Sequence, residues 1–352
     1  MPPPFTDNPQ KCVVRELWDT PLLCYFHTRY GVRYRYFGLP GVDLIDVRLW
    51  RDMIDEVVAF EPPGSDGGRR AAIDALRSNM KKYGIRGTAY WGSFEEVVLL
   101  RKDYDGVDYR QNSVVTLYNL DFCDEISSPI STRERGRKVR RFEAIRHVLR
   151  DQVECFQREG GPQHFVLMLT VRSQINADKI KSFLTPGTMQ GDAKRFREEC
   201  SKILAIPDGR SPLVGTHSWA LKTLLFNSLS SYFGNPNISA VFFPQLMYQG
   251  TKTRIPRAGG GIDYLASPML HWLVLCRFGD METPTASCFP LQYLWSASVE
   301  VDGRANALRW APQTGEVAQG AGLPDSVAWL KRFGGSVLAG LREGVGTRAR
   351  QL

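Results

Sequence analysis

Short apolar runs alternate with segments of helical periodicity over the first half of the chain. The runs are rich in β-branched and aromatic residues, as in buried strands, and they lie at 34–37, 57–60, 88–91, 113–119 and 164–171. Between them, apolar residues recur at helical spacing in 44–54, 69–83, 94–100 and 142–157. Strands that alternate with helices in this way predict an α/β fold with a mostly parallel sheet and helices on both faces.

The second half of the chain predicts a different arrangement. Helical segments are expected at 177–206 and 218–232. They are followed by two strands, at 238–243 and 270–277, with no obvious helix between them. Because a parallel neighbour needs a crossover connection, this pair predicts an antiparallel edge strand on the sheet.

Three regions follow along the chain. Residues 1–30 are expected to be an N-terminal arm, loose over its Pro-rich start up to about residue 12. Residues 31–280 form the α/β domain. Residues 281–352 form a C-terminal α+β extension with a hairpin at 295–310, a helix at 326–341 and a basic tail.

The composition indicates a folded protein of the cytoplasm. Hydrophobic residues make up 43 % of the 352 positions, enough to fill a sizeable core. We find neither a secretion signal nor an apolar stretch of about 18 residues, so no membrane association is expected. The seven cysteines contain no CxxC pair and the five histidines are far apart, so neither a disulfide framework nor a metal site is indicated.

The turn after the first strand has the features of a nucleotide-binding βαβ unit. Gly38-Leu39-Pro40-Gly41 follows the strand, and Glu61 ends the next strand 20 residues after Gly41. Glycines let the backbone approach a ligand closely, and an acid at this distance can accept hydrogen bonds from ribose hydroxyls. A plain turn followed by a solvent-facing glutamate explains the same residues.

Further matches in the same order resemble the core of class I S-adenosylmethionine-dependent methyltransferases. Tyr36 to Gly41 corresponds to the glycine loop of that family and Phe60-Glu61 to its ribose-binding acid. Gly92-Ser93-Phe94 resembles its third-strand exit, and Asn119-Leu120-Asp121-Phe122 its catalytic turn after the fourth strand. The resemblance covers about residues 30–280 and implies a Rossmann-like sheet whose late strand pair contains the family's reversed strand.

The resemblance also implies a site and a cofactor, S-adenosylmethionine. Gly38, Pro40 and Gly41 would border the methionine moiety, Glu61 the ribose, and Ser93 or Phe94 the adenine. In the catalytic turn, Asn119 would hydrogen-bond the acceptor, Asp121 would accept a proton or orient an amine, and Phe122 would stack on a base. Two local alternatives remain: Ser93 caps the next helix, and Asn119 and Asp121 satisfy backbone groups of a turn.

Two departures from the family pattern bear on activity. Arg35 and Tyr36 stand where the family has an acid before the glycine loop, and Asp43 and Asp46 fall in the following helix instead. The catalytic turn lacks the two prolines of amino-methylating nucleic-acid enzymes.

A basic stretch follows the catalytic turn and accounts for much of the net charge of +8. Its members could neutralise the phosphates of a nucleic acid; they are Arg133, Arg135, Arg137, Lys138, Arg140 and Arg141. A solvated helix face is the alternative interpretation.

Two functions remain open. The first is a methyltransferase that acts on a nucleic acid or another polyanionic substrate. The alternative is a catalytically degenerate methyltransferase-like protein that binds partners as a subunit of a multi-protein bacterial system. The chain contains no P-loop, no G-x-S-x-G nucleophile motif and no Glu-x-Lys nuclease motif after Glu61.

Overall fold

A computed structural model describes most of the first half of the chain and several strands of the second. The described residues are 8–63, 70–122, 129–134, 136–172, 238–243, 245–256, 262–278, 298–302 and 307–310. The predicted helices at 177–206, 218–232 and 326–341 and the basic tail lie outside them.

The helices of the described chain lie in its first half. They are α1 (Pro9–Val13), α2 (Thr20–Tyr30), α3 (Ile45–Leu49), α4 (Ala71–Lys82), α5 (Phe94–Leu100) and α6 (Arg141–Glu159). A π-helical turn, Val14–Asp19, joins α1 to α2, and a 3₁₀ turn, Arg51–Met53, follows α3.

The strands include one large sheet and a separate hairpin. They are β1 (Tyr34–Gly38), β2 (Ile54–Glu61), β3 (Gly87–Trp91), β4 (Leu117–Asp121), β5 (Pro129–Ser131), β6 (Lys138–Arg140), β7 (His164–Arg172), β8 (Ile238–Phe242), β9 (Gln245–Pro256), β10 (Ile262–Phe278), β11 (Ser298–Asp302) and β12 (Ala307–Trp310). The hairpin of β5 and β6 forms a two-stranded sheet of its own.

The chain has a Rossmann-like fold. The large sheet has the order β12-β11-β9-β10-β7-β4-β1-β2-β3, with β8 also paired to β10. β3, β2, β1, β4 and β7 are all parallel to their neighbours, whereas β10 is antiparallel to β7, β8 and β9. The predicted parallel sheet with a reversed strand is therefore confirmed, and the chain order reverses at β1, beside β4 and β2.

Each face of the sheet has its own apolar core. On one face, Leu120, Leu169 and Trp272 pack with α5 and α6. On the other face, Met168 and Leu273 pack with α2 and α4. Side chains of alternate residues on one strand enter opposite cores, as the two-residue period of a strand requires.

The N-terminal segment is part of the fold from Asn8 onward, whereas the chain up to about residue 12 was expected to be loose. Asn8 caps α1, because its side-chain oxygen accepts hydrogen bonds from the backbone of Gln10 and Lys11 at 3.0 and 3.3 Å. The helical residues that face the sheet are fully buried; they include Val13, Trp18, Leu22, Leu23 and Phe26. This segment covers the same face as Met168 and Leu273.

Three further differences concern strands. β4 begins at Leu117 rather than at 113, and the predicted basic stretch includes β6 of the β5–β6 hairpin. β9 was not predicted at all. The predicted hairpin near 300 is confirmed as β11 and β12, and β11 pairs with β9, so this part of the C-terminal extension continues the large sheet.

Candidate functional site

A cleft of about 430 Å³ opens where β1, β2 and β4 end at their carboxyl edge. Ligands of open α/β sheets bind at this place, where the strand order reverses. The cleft is lined by Lys11, Arg15, Leu39, Pro40, Gly41, Val42, Asp43, Ile45, Asp46, Phe60, Glu61, Pro62, Ser93, Phe94, Glu95, Asp121, Phe122, Ile130 and Arg141. The predicted residues Pro40, Gly41, Glu61, Ser93, Phe94, Asp121 and Phe122 are thus brought together.

The glycine loop has two different requirements for glycine. A Cβ on Gly38 would overlap the backbone carbonyl oxygen of Asn119 on the adjacent strand. Gly41 has open space around it but adopts a φ of +67°, which favours glycine. Gly38 therefore lets β1 and β4 approach closely, whereas Gly41 itself lines the cleft.

Glu61 is a carboxylate without a cationic partner among the described residues. It ends β2 at the cleft wall, and burial raises the pKa of its carboxyl from 4.5 to about 7. Desolvation disfavours the charged form, and no described charge offsets it. Hydroxyl groups of a bound ligand would supply the hydrogen bonds that this carboxylate lacks.

Ser93 and Phe94 start α5 and also line the cleft. Ser93 Oγ accepts a hydrogen bond from the backbone N–H of Glu96 at 3.2 Å, so the capping alternative is present in the structure. Phe94 is buried against Phe60 and Phe122, with ring centroids 5.6 and 5.7 Å away. Because both residues line the cleft, a ligand bound there can contact them.

Asp121 reaches the cleft but is paired with a cation. Its carboxylate forms an ion pair with Lys11 of α1, and Asp46 of α3 forms one with Arg15 of the π-helical turn. Asp121 and Asp46 raise the pKa of the Lys11 ammonium, against the lowering effect of burial. Neither cation was predicted to lie at the site, although a spacing of four residues indicates that Lys11 and Arg15 lie on the same face of a helix.

Asn119 lies behind the cleft rather than in its wall. It is 5 % exposed, and its side-chain NH₂ donates to Asp46 Oδ2 at 3.0 Å and to the Tyr36 hydroxyl at 3.2 Å. The resemblance implied that Asn119 hydrogen-bonds the acceptor, but its side chain does not line the cleft. Asn119 instead holds Asp46, which lines the cleft.

Phe122 and Arg141, which both line the cleft, contact each other. The Arg141 guanidinium carbon lies 4.5 Å from the centre of the Phe122 ring, and its Nε donates to Glu95 Oε1 at 2.5 Å. Both residues are buried. One ring face of Phe122 is therefore already covered, which restricts its predicted stacking on a base.

The members of the predicted basic stretch lie in different surroundings. Arg133 lies beside Glu96 at 3.7 Å and donates to the Asp103 carbonyl at 2.5 Å, and Arg137 pairs with Glu134 at 2.8 Å. Arg141 is the cleft residue described above. Lys138 and Arg140 are exposed on β6, and Arg135 lies outside the described residues.

No metal site or membrane span is found in the described part of the chain. Its His, Cys, Asp and Glu side chains form no group of three that could hold a metal ion. None of its helices combines the length and apolar character that a membrane span requires.

Comparison with known proteins gives no family assignment, because no protein-family model and no curated protein matches the chain. Similar solved structures include the YcgJ protein from Bacillus subtilis (6 % identity, 74 % of this chain and 99 % of that chain, TM-score 0.34). Two O-methyltransferases, TomG from Streptomyces achromogenes, solved with S-adenosylmethionine, and one from Bacillus cereus, solved with S-adenosylhomocysteine, each give 10 % identity, coverage of 78 % and 91 %, and a TM-score of 0.32. Similarities with such low scores are not used to assign a function or a fold, and the Rossmann-like fold is assigned from the strand order.

Proposed function

We propose that the cleft binds S-adenosylmethionine and that the chain transfers its methyl group to an acceptor. The observation that carries this proposal is that Glu61, a carboxylate with a pKa of about 7 and no cationic partner among the described residues, lines one cleft together with the glycine loop. The volume of about 430 Å³ lies within the usual range for small-molecule sites.

The chemistry of the lining fits this cofactor. Glu61 would accept hydrogen bonds from the ribose hydroxyls, and Pro40 and Gly41 would border the methionine part. Ser93 and Phe94 would contact the adenine. Arg15 also lines the cleft, and its guanidinium suits a carboxylate of the ligand if Asp46 shares it.

The bound cofactor supplies an electrophilic methyl group, so the protein has to position the acceptor and manage its proton. Asp121 is the described carboxylate at the end of β4 that faces the cleft. It would orient the acceptor and take up its proton. Lys11 holds Asp121 in place until an acceptor competes for the carboxylate.

A polyanionic acceptor, such as a nucleic acid, is the substrate class that the surface favours. Lys138 and Arg140 are exposed on β6, and Ile130 of the neighbouring strand β5 lines the cleft. The two cations therefore lie on the hairpin that borders the opening. Arg133 and Arg137 would contribute less to phosphate binding, because each lies beside a carboxylate.

Transfer of a labelled methyl group tests this proposal. The full chain is incubated with labelled S-adenosylmethionine and, in separate reactions, single-stranded DNA, duplex DNA, RNA and polyglutamate. We expect transfer to one nucleic acid, and a loss of at least about a hundredfold in Asp121→Ala. Asp74→Asn, an exposed carboxylate of α4, is the matched control and keeps full activity.

The ion pairs of the cleft favour a second candidate function, a partner-binding protein with a degenerate site. Lys11 neutralises Asp121, and Arg15 neutralises Asp46, so the chain's own cations occupy both carboxylates. In this case, the chain binds no donor, and the folded Asp121→Ala variant binds its partner as the wild type does. Loss of activity with unchanged folding supports the enzyme instead.

A further inference from the structure

A second polar cluster lies behind the cleft, in the core beneath the N-terminal helices. Asp121, Thr170 and His271 are direct neighbours across β4, β7 and β10, because Thr170 is in register with both. Thr170 and His271 are 4 % and 3 % exposed. Their strand neighbours Met168 and Leu273 show that this is the face covered by α2.

His271 makes two hydrogen bonds in this cluster. Its Nδ1 lies 2.8 Å from Thr170 Oγ1, and its Nε2 lies 2.9 Å from Asp19 Oδ1 at the end of the π-helical turn. A carboxylate can only accept, so Nε2–H donates to Asp19, and in the neutral ring Nδ1 accepts from the Thr170 hydroxyl.

Protonation of His271 breaks neither hydrogen bond. In the imidazolium both nitrogens donate, and the Thr170 hydroxyl rotates so that its oxygen accepts from Nδ1. A buried ring that can take up a proton with all its partners retained is suited to proton transfer, because a buried polar group without a partner is strongly disfavoured.

An inner chamber of about 20 Å³ lies beside this cluster and shares lining residues with the cleft. It is lined by Lys11, Val14, Arg15, Asp19, Asp46, Trp50, Asn119, Asp121, Thr170, Tyr248 and His271. The chamber has room for one water molecule among several polar partners. Asp121 lines both the chamber and the cleft, so one side chain connects the acceptor to the cluster.

The charges around the chamber favour one additional proton. Among the described residues, the acidic and basic groups that face it are two cations, Lys11 and Arg15, and three carboxyl groups, Asp19, Asp46 and Asp121, one more than the cations. Tyr248 of β9 is the remaining titratable group of the lining. A proton on His271 balances the charges, and its direct contact is Asp19.

We propose that His271, oriented by Asp19, receives the proton that the methyl acceptor loses. The inference rests on the proposed methyl transfer, in which a bond forms between the acceptor atom and the methyl carbon while the carbon–sulfur bond breaks. The acceptor's proton passes to Asp121, then through the chamber water and the Thr170 hydroxyl to His271 Nδ1. Each relay group gives up one proton and receives one, and the imidazolium later returns the proton to solvent by the reverse path.

His271 acts on the acceptor only through Asp121 and is in this sense a positioning residue. A purely structural role, in which the His271–Asp19 contact anchors the N-terminal helices to the sheet, makes a different prediction. His271→Gln separates the two roles, because the glutamine amide can still donate to Asp19 but cannot take up a proton near neutral pH.

The experiment measures kcat, KM and melting temperature of the full chain over the pH range in which it stays folded. We expect His271→Gln to lower kcat at least about tenfold and to remove the acidic limb of the pH profile, with KM within about twofold of wild type. His147→Gln, on α6 outside both the cleft and the chamber, is the matched control.

A second pair of variants covers the case in which His271→Gln fails to fold. Thr170→Val removes the relay hydroxyl and should behave as His271→Gln, whereas Thr170→Ser keeps it and should restore kcat. Wild-type kcat and pH profile in Thr170→Val or in folded His271→Gln would overturn the inference while leaving the methyltransferase proposal intact. Failure of the wild type to bind S-adenosylmethionine overturns the proposed function and the relay with it.

Nitrogen NMR of the labelled imidazole gives a readout that is independent of activity. We expect a neutral ring with the proton on Nε2 at high pH and reversible protonation of Nδ1 before acid unfolding. A ring that stays neutral until the chain unfolds overturns the relay, even in an active enzyme.

Discussion

Replacement of Glu61 by glutamine should stabilise the free protein. Burial raises the pKa of this carboxyl from 4.5 to about 7, with no described cation to offset it. At pH 8 the ionised group therefore opposes folding by up to about 3 kcal/mol, an upper bound because solvent in the cleft screens the charge. Glutamine has nearly the same shape and no charge.

The size of this stabilisation depends on pH in a defined way. Below pH 4.5 the carboxyl is protonated in both the folded and the unfolded chain, so wild type and Glu61→Gln differ little. As the pH rises from 4.5 to about 7, only the unfolded chain ionises freely, and wild type loses stability relative to the variant. We expect the variant to melt a few degrees higher at pH 8 and at the same temperature near pH 4.5.

Donor binding should respond to the same substitution in the opposite direction. With a pKa of about 7, Glu61 is ionised in about one molecule in eleven at pH 6 and in about ten in eleven at pH 8. If the ionised form accepts the ribose hydroxyls, the Kd for S-adenosylmethionine rises about tenfold from pH 8 to pH 6. Glu61→Gln should bind about tenfold more weakly at pH 8 and show no such slope.

Calorimetric titrations and thermal melts at pH 6, 7 and 8 measure both effects. Glu56→Gln, on the same strand but half-exposed beside Arg35, is the matched control and should follow wild type. A variant that binds the donor as wild type does, or that melts no higher at pH 8, would refute the reasoning.

Three further predictions concern the fold around the cleft. Gly38→Ala should prevent stable folding, seen as loss of the cooperative melt, because its Cβ would overlap the backbone oxygen of Asn119. Arg15→Met should lower the free energy of unfolding by about 3–5 kcal/mol in urea titrations, because it leaves the buried carboxylate of Asp46 without its cation. Burial lowers the pKa of His164 to about 4, so between pH 7 and pH 5 only the unfolded chain protonates freely and His164 lowers the free energy of unfolding of the wild type by about 2 kcal/mol. His164→Phe should not show this loss.

The first two of these predictions each have a control variant. Gly31→Ala places a Cβ in open space and should lose only about 1 kcal/mol through its left-handed backbone. The double variant Arg15→Met/Asp46→Asn should be more stable than Arg15→Met alone, since it removes the unpaired charge. Equal acid sensitivity of His164→Phe and wild type, or a normal melt of Gly38→Ala, would contradict the packing described above.

The sequence predicted the sheet well because strand and helix periods differ strongly. The runs around Tyr36, Val58 and Leu167 are apolar and are bounded by turns, and each became a strand. β9 was missed because its sequence, QLMYQGTKTRIP, contains Gly250 and many polar residues. Its pairing with β10 and β11 is a tertiary interaction that a local pattern does not contain.

The cleft was predicted in outline but not in its charges. The carboxyl ends of parallel strands meet at one edge, so Gly41, Glu61 and Asp121 had to lie near one another once the strand order was given. Lys11 comes from a segment whose prolines suggested a loose arm, although Pro9 after Asn8 is also the usual start of a helix. Its pairing with a residue 110 positions away is set by tertiary packing alone.

Asn119 shows why the role of a residue is harder to predict than its place. It lies two residues before Asp121 on the same face of β4, so the turn motif suggested that both face a substrate. Asn119 is the more deeply buried of the two, and its side-chain amide donates hydrogen bonds to Tyr36 and Asp46. The sequence gives no signal for this difference in depth.

The most direct test of the central claim is titration of the full chain with S-adenosylmethionine at pH 8, followed by calorimetry and by the melting temperature. We expect one site per chain and, at a hundredfold excess over Kd, stabilisation of about 2.7 kcal/mol. Folded protein that shows neither binding heat nor a shift in melting temperature at saturating donor would contradict the assignment of the cleft.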